Sequence, residues 1–348
     1  MEKLLDCLQL KLCKELSEEQ KLFLSIFNRY RIESNLEKER CTDLISSYLF
    51  DCLYEESIKS DFADYKSPIL ICVIKNERIR IKQFFEHYRR IGIFQFAIID
   101  NNSTDGTKQF CSMQGDVNLF SVKTNYSSAR RVGWINQILS KYGRNRWYII
   151  VDSDELLDFV GSETCSINDV IYKMEAKNIK RVLGIQVDFY SKIALFGMAG
   201  ENIEWDSCSY FDKDSYIEQN NKKCVWFVGG PRKRLLNTYS LLTKYPVFYY
   251  DNDTINISSH YLYPFNENFR SQCFICIKHY EFLNQKDYEK MKDIINKKNY
   301  ASNSREYVEM FKRLKNTERK NFYDKKTSVK YITSNDLLQI EYIKDWKK

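Results

Sequence analysis

Between Ser67 and Glu155 the chain alternates short runs of branched apolar residues with spans whose apolar residues recur at helical spacing. No other feature limits the fold as tightly. Pro68 to Ile74 reads as a buried strand. Arg78 to Ile91 follows as a helix, with Ile81, Phe84, Phe85, Tyr88 and Ile91 on one face and Gly92 to stop it. Ile93 to Ile99 is a second strand, Asn101 to Thr107 a turn into a short helix, and Val117 to Val122 a third strand. Ser127 to Leu139 is then a helix and Trp147 to Val151 a fourth strand. Strands and helices alternating on short connections predict an α/β fold, with a mostly parallel sheet flanked by helices.

On either side of this region the pattern changes. Residues 1–66 read as a helical N-terminal extension, with Leu4, Leu5, Leu8, Leu22, Phe23, Ile26 and Phe27 at helical spacing. Beyond Glu155 the pattern is less regular, with a helix near Ile167 to Ala176 and strand-like runs at Val182 to Tyr190 and Cys224 to Val228. Residues 286–348 read as a basic helical C-terminal extension. The net charge of +7 sits there, with 17 Lys and Arg against 10 Asp and Glu, leaving 37 of each sign in residues 1–285. Such a segment is a solvated face, or a peripheral contact with anionic lipid. No nucleic-acid motif accompanies it, so nucleic acid is not expected as a partner.

No apolar run approaches the ~20 residues of a membrane span, and the charged start, Met1 to Phe23, does not read as a signal peptide. Eleven scattered cysteines fit reduced thiols of a cytoplasmic protein. Cys273-x-x-Cys276 has a metal-like spacing but lacks the second pair that a zinc site needs.

Chemistry concentrates where the strands end. Strand one runs into Lys75-Asn76-Glu77, strand two into Asp100-Asn101-Asn102-Ser103-Thr104-Asp105-Gly106-Thr107, and strand four into Asp152-Ser153-Asp154-Glu155. In an open α/β sheet these clusters meet at one carboxyl edge, where ligands bind. Carboxylates that dense repel one another unless a cation neutralises them. Asp-x-Asp at a strand end therefore points to a divalent metal and a phosphate-bearing ligand.

Lys-Asn-Glu, the helix ending His87-Tyr88-x-x-Ile91-Gly92, Asp-Asn-Asn-Ser-Thr-Asp-Gly-Thr and Asp-Ser-Asp-Glu together resemble the GT-A glycosyltransferases of the family 2 type. The likeness covers about residues 68 to 160. It continues weakly through Phe196-Gly197-x-x-Gly200 and Lys278-His279-Tyr280-Glu281-Phe282. It implies a Rossmann-like GT-A domain over residues 67–285, with a nucleotide-sugar half (67–155) and an acceptor half (156–285). It also implies an enzyme that uses Mn²⁺ or Mg²⁺ to move a sugar from a nucleotide-sugar donor, a UDP-sugar by the likeness, to a glycan or glycolipid hydroxyl. The expected setting is surface polysaccharide or lipopolysaccharide synthesis, at or near the inner face of a membrane.

On this reading Asp100 receives a hydrogen bond from the base, Asp105 caps a helix, and Asn76 and Glu77 approach the nucleotide. Arg130 lies near the diphosphate. Asp154 ligates the metal, Asp152 binds ribose or metal, and Ser153 lies between them. The further ligand is His279 or His260, with His279 in the better motif context. Inverting transfer needs a carboxylate base, yet Gly229-Gly230 leads into Pro231-Arg232-Lys233-Arg234 with no acid. Asp188, Glu155, Glu201 and Glu204 remain as candidates, and retention stays open. Arg232 to Arg234 meet a phosphate or face solvent. Two other readings compete: nucleotidyl transfer onto a sugar phosphate, disfavoured because Lys75-Asn76-Glu77-Arg78 has no glycine, and a non-catalytic binding protein with the same fold.

Overall fold

A computed structural model describes residues 2–12, 15–36, 38–198, 205–296, 304–316 and 321–348. The chain opens with helices α1 (Glu2–Leu8), α2 (Glu18–Ser34) and α3 (Lys38–Phe50), then a strand, β1 (Tyr54–Ser57). The expected alternation follows: β2 (Ile69–Ile74), α4 (Ile81–Arg90), β3 (Phe96–Asp100), α5 (Thr107–Ser112), β4 (Val117–Ser121), α6 (Ser128–Tyr142) and β5 (Arg146–Ile150). Next come β6 (Glu155–Asp158), α7 (Ile167–Ala176) and β7 (Arg181–Asp188). Short strands β8 (Tyr210–Asp212), β9 (Tyr216–Asn220) and β10 (Val225–Gly229) lead to α8 (Gly230–Leu236), β11 (Thr243–Tyr250), β12 (Ile255–Asn256), β13 (Leu262–Tyr263) and β14 (Cys273–His279). The chain ends with α9 (Gln285–Asn296), α10 (Ser304–Asn316), β15 (Ser328–Lys330) and a final 3₁₀ turn.

Nine strands form one sheet in the order β1-β4-β3-β2-β5-β11-β7-β14-β6. Six of the nine run the same way, since β4, β3, β2 and β5 pair in parallel, as do β7 and β14. The other three depart from the sequence reading. β11 inserts antiparallel in the middle, and β1 and β6 close the two edges antiparallel. The two extensions are likewise not purely helical, because β1 joins the main sheet and β15 pairs with β8. The strands β2, β3, β4 and β5 are buried almost throughout, which accounts for their continuous apolar composition.

The order of β5 and β6 shapes the site. The chain leaves β5 in mid-sheet and enters β6 at the far edge, beyond β11, β7 and β14. Residues 151–154 thus run along the sheet rim, past the start of β11 and the ends of β7 and β14. The amide of Tyr280, just after β14, donates to the Asp154 carbonyl at 3.0 Å.

Three apolar clusters hold the elements together. The largest lies on both faces of the sheet and includes Ile71, Phe84, Ile98, Trp134, Tyr148 and Ile277. A second joins α1–α3 to Val132 of α6 and to Ile255, Ile257, Tyr263 and Phe265. Gly133 permits the close approach of α3 and α6, since a Cβ there would fall 1.9 Å from Ser47 Oγ and 2.8 Å from the Leu44 carbonyl. The third cluster packs Met291 and Met310 of the C-terminal helices against Tyr190, Leu236, Phe282 and Phe322. None of the described helices is long and apolar enough to cross a membrane. Cys273 and Cys276 are both buried and unpaired in β14. They lie three positions apart across a register shift, and no group of three or more possible metal ligands includes them among the described residues.

Candidate functional site

The carboxyl edge of the parallel strands opens into a cleft of about 1060 Å³. Its wall includes Asn76, Glu77, Asn101, Asp105, Asp152, Ser153, Asp154, His260 and His279, so the three strand-end clusters meet as the sequence predicts.

The loops after β2 and β3 are tied by side chains. Asn76 takes a left-handed backbone (φ +58°), which asparagine tolerates. Its amide donates to Ser103 Oγ at 2.9 Å, and its Oδ1 accepts from the Thr104 amide at 2.8 Å. Asp105 accepts from the amides of Thr107 and Arg78, both at 3.1 Å, and so joins the start of α5 to the other loop. Asp100 is fully buried and does not reach the cleft wall, where its neighbour Asn101 does. One Asp100 oxygen accepts from the Ser103 amide at 3.0 Å. The other, like Asn101 Oδ1, is buried with no hydrogen-bond partner among the described residues.

The two aspartates of the rim sit in different electrostatic settings. Asp152 is taken at both oxygens, by Arg131 at 2.5 Å and Lys244 at 3.0 Å. Lys244 also contacts Glu155, whose carboxylate accepts from the Asp152 amide and Gln186 Nε2, each at 3.1 Å. Two cations and two carboxylates form a closed, neutral group. Burial works to raise the Asp152 pKa, but Arg131 and Lys244 outweigh it and hold the carboxyl well below its usual range.

Asp154 makes no side-chain hydrogen bond among the described residues. Its nearest cation is Arg80, whose Nη1 lies 3.8 Å away. Burial works to raise its pKa too, and Lys290, His279 and Arg80 lower it overall. Arg80 and Lys290 join Asp154 to Glu77 and Asp287, a set of three carboxylates and two permanent cations that carries −1. A second set beside it holds Asp188 and Glu281 through Arg232 and His279.

His279 belongs to the second set. Its Nδ1 lies 2.9 Å from Asp188 and 3.0 Å from Arg232, which is itself forked onto Asp188 at 2.8 Å through two nitrogens. Against burial, Asp188 raises the pKa of the ring and favours a proton on Nδ1; in its neutral form the ring keeps a lone pair on Nε2, 4.0 Å from Glu281. This carboxylate–histidine arrangement is how proteins orient a metal-binding imidazole. His260 also faces the cleft, with Nδ1 3.0 Å from the Thr243 carbonyl, and burial and Lys244 push its pKa down to about 4.

Several sequence expectations change at this level. Arg130 is not part of the cleft wall and bonds back to the Asn125 carbonyl at 3.2 Å; Arg131, next along α6, is the residue that reaches the site. Asp188 is buried behind the wall, with both oxygens occupied. Burial favours its neutral form, yet Arg232 and His279 prevail and lower its pKa to about 2, too low for a general base. Glu155 is also buried behind the wall, where it anchors Lys244 and the rim, so it meets no acceptor. Asp152, expected at ribose or metal, has a protein cation on each oxygen. Glu201, Glu204 and Gly200 lie outside the described residues. Lys244, Arg80 and Lys290 were not anticipated: Lys244 stands alone in an apolar run, and Lys290 sits in a charged stretch typical of a solvated helix. Lys286, Lys290 and Lys292, all in the basic C-terminal segment, line the cleft.

No group of three or more His, Cys, Asp or Glu side chains is arranged to hold a metal among the described residues. Asp154 and His279 Nε2 still fit as two ligands. Mg²⁺ in phosphate-binding sites commonly takes only one or two carboxylates and completes its shell with substrate phosphates and water. The excess of negative charge around Asp154 also suits a cation. No protein-family model matches the chain, and no curated protein matches it either.

Proposed function

We propose that the protein is a metal-dependent glycosyltransferase of GT-A type, moving a sugar from a nucleotide-diphospho-sugar, a UDP-sugar by preference, to a hydroxyl of a glycan or glycolipid. The observation that carries this reading is the asymmetry of the rim. Asp152 is hydrogen-bonded to protein cations at both oxygens, while Asp154 has its nearest cation at 3.8 Å, in a set of charge −1 on the cleft wall that His279 also lines. A binding protein without chemistry would have little use for a carboxylate left without a hydrogen bond beside a held imidazole.

Asp154 and His279 would hold Mn²⁺ or Mg²⁺, which supplies Lewis-acid stabilisation of the departing nucleoside diphosphate. The remaining roles belong to the chain. Asp188 and Arg232 hold the His279 ring. Arg131 and Lys244 fix Asp152 at the edge facing the ribose. The unpartnered Oδ1 of Asn101, at the end of β3 on the cleft wall, offers a site for a base N–H, whereas Asp100, expected in that role, is fully buried behind the wall. In the reaction the bond from the anomeric carbon to the β-phosphate oxygen breaks, and its electron pair goes to the diphosphate. The acceptor oxygen forms the new bond and gives its proton to a carboxylate on the cleft wall or to water.

A panel of nucleotide-sugars, each incubated with Mn²⁺ or with chelator and followed by nucleotide release, tests the reading. Metal-dependent hydrolysis or transfer from one of them is expected. Failure to bind any nucleotide overturns it.

A further inference from the structure

Two cations beside Asp154 carry no role in the sequence motifs: Arg80, just after the Lys-Asn-Glu cluster, and Lys290, in the C-terminal segment. Arg80 is the N-cap residue of α4; it is 3% exposed, lines the cleft, and has two buried nitrogens, Nε and Nη1, without hydrogen-bond partners. Its Nη2 contacts Asp287 of α9. Asp287 in turn accepts from the amides of Leu283 at 3.1 Å and Asn284 at 3.2 Å, which pins the start of α9 to the cleft. Lys290 lies three residues on, so it shares the helix face of this anchor.

Lys290 differs from the other cations around the rim. Arg131, Lys244 and Arg232 each lie within 3.0 Å of a carboxylate oxygen. The nearest carboxylate oxygen to Lys290, on Glu77, is 3.8 Å away, beyond hydrogen-bond reach. Its side chain is 54% exposed within the cleft. An ammonium with three donors thus faces the space beside Asp154 with none committed to a carboxylate.

Resting on the function proposed above, we propose that α9 is a phosphate-binding element of the active site: Lys290, seconded by Arg80 Nη1, contacts the phosphate of the bound nucleoside diphosphate that is remote from the nucleoside. The ligand class is a pyrophosphate ester. A nucleoside monophosphate lacks the second phosphate that this pair would meet. During transfer the same contacts would meet the negative charge that collects on the departing diphosphate, where fixed donors stabilise it most. The basic character of the C-terminal segment then serves the cleft, through the one helix that Asp287 ties to it.

The test is calorimetric titration of the full-length protein with UDP and with UMP, both with Mn²⁺, for wild type, Lys290→Met, Lys290→Gln and Lys290→Arg. Each neutral variant is expected to bind UDP at least about tenfold more weakly, as loss of a charge-assisted hydrogen bond does. UMP binding should stay within about twofold, and Lys290→Arg should restore most of the UDP affinity. Equal losses for UDP and UMP, or no loss for either, overturn the role of Lys290 while leaving the glycosyltransferase reading intact. If wild type binds neither nucleotide, that reading and this one fail together. Thermal melts of the four proteins should coincide, because the Lys290 side chain is more than half exposed and its nearest carboxylate is beyond hydrogen-bond reach; a collapsed melt in both neutral variants would make Lys290 a structural residue and also overturn the proposal.

Discussion

Asp152 and Asp154 are two positions apart and chemically alike, yet the fold gives them opposite tasks. The difference lies in what arrives beside them: Lys244 and Arg131 at one, Arg80 and the His279 edge at the other. Asp154→Asn is expected to abolish metal-dependent nucleotide release while leaving the melting temperature unchanged, since no side-chain hydrogen bond is lost; undiminished turnover would place the metal elsewhere. Lys244→Met should behave in the reverse manner. It strands Asp152 and Glu155 without their shared cation, and breaking a buried pair from one side costs about 3–5 kcal/mol. Urea denaturation of that variant gives the check, and a loss under about 1 kcal/mol would mean that water or Arg131 compensates. The acids of this site were legible because they cluster after apolar runs. Their partners were not. Arg130 and Arg131 differ only by the ~100° that separates neighbours on a helix, and the phase of α6 depends on packing against α3. Lys244 carries no local signal at all, because its role arises from a strand register 89 residues beyond Glu155.

At the scale of elements, strands β2 to β5 and the helices between them could be read directly, as they are locally determined: branched runs, turn residues and one apolar helical face. β11 escaped notice because Pro246 lies inside it, and proline argues against a central strand. β14 was read only as a His-Tyr segment, and β6 as part of an acidic turn. The N-terminal helices pack onto α6 through a contact that tolerates no side chain at Gly133. Gly133→Ala should therefore destabilise the protein by about 1–3 kcal/mol despite the better helix propensity of alanine. Adding Ser47→Gly, which removes the nearest clashing atoms, should recover part of that loss in the same denaturation assay. Full stability of the single variant would show that α3 can shift without cost.

For the whole molecule, acid sensitivity follows from His87. Its Nε2 lies 2.7 Å from the Leu157 carbonyl of β6, and burial together with Lys278 pushes its pKa down to about 3. The unfolded chain takes up this proton near pH 6.5, whereas the folded chain resists it until about pH 3. Between those values the unfolded state binds more protons, so stability falls as pH drops through the window. Replacing His87 by Gln should flatten that part of the stability curve between pH 7 and pH 4, measured by urea midpoints. An unaltered slope would assign the acid sensitivity to other groups.

The far-edge position of β6 has a consequence in time as well as in space. Among the described residues its only ladder partner is β14, whose first residue lies 115 positions after the last of β6. During synthesis the acidic rim must therefore wait, tethered to β5 but with no strand beside its outer end, until nearly four-fifths of the chain has emerged. Contacts that distant are slow to close. The nucleotide-binding half can condense early. The charge pattern that distinguishes Asp154 from Asp152 is set only when His279 and then α9 arrive, so a nascent chain would hold a folded half-sheet before it holds a working cleft.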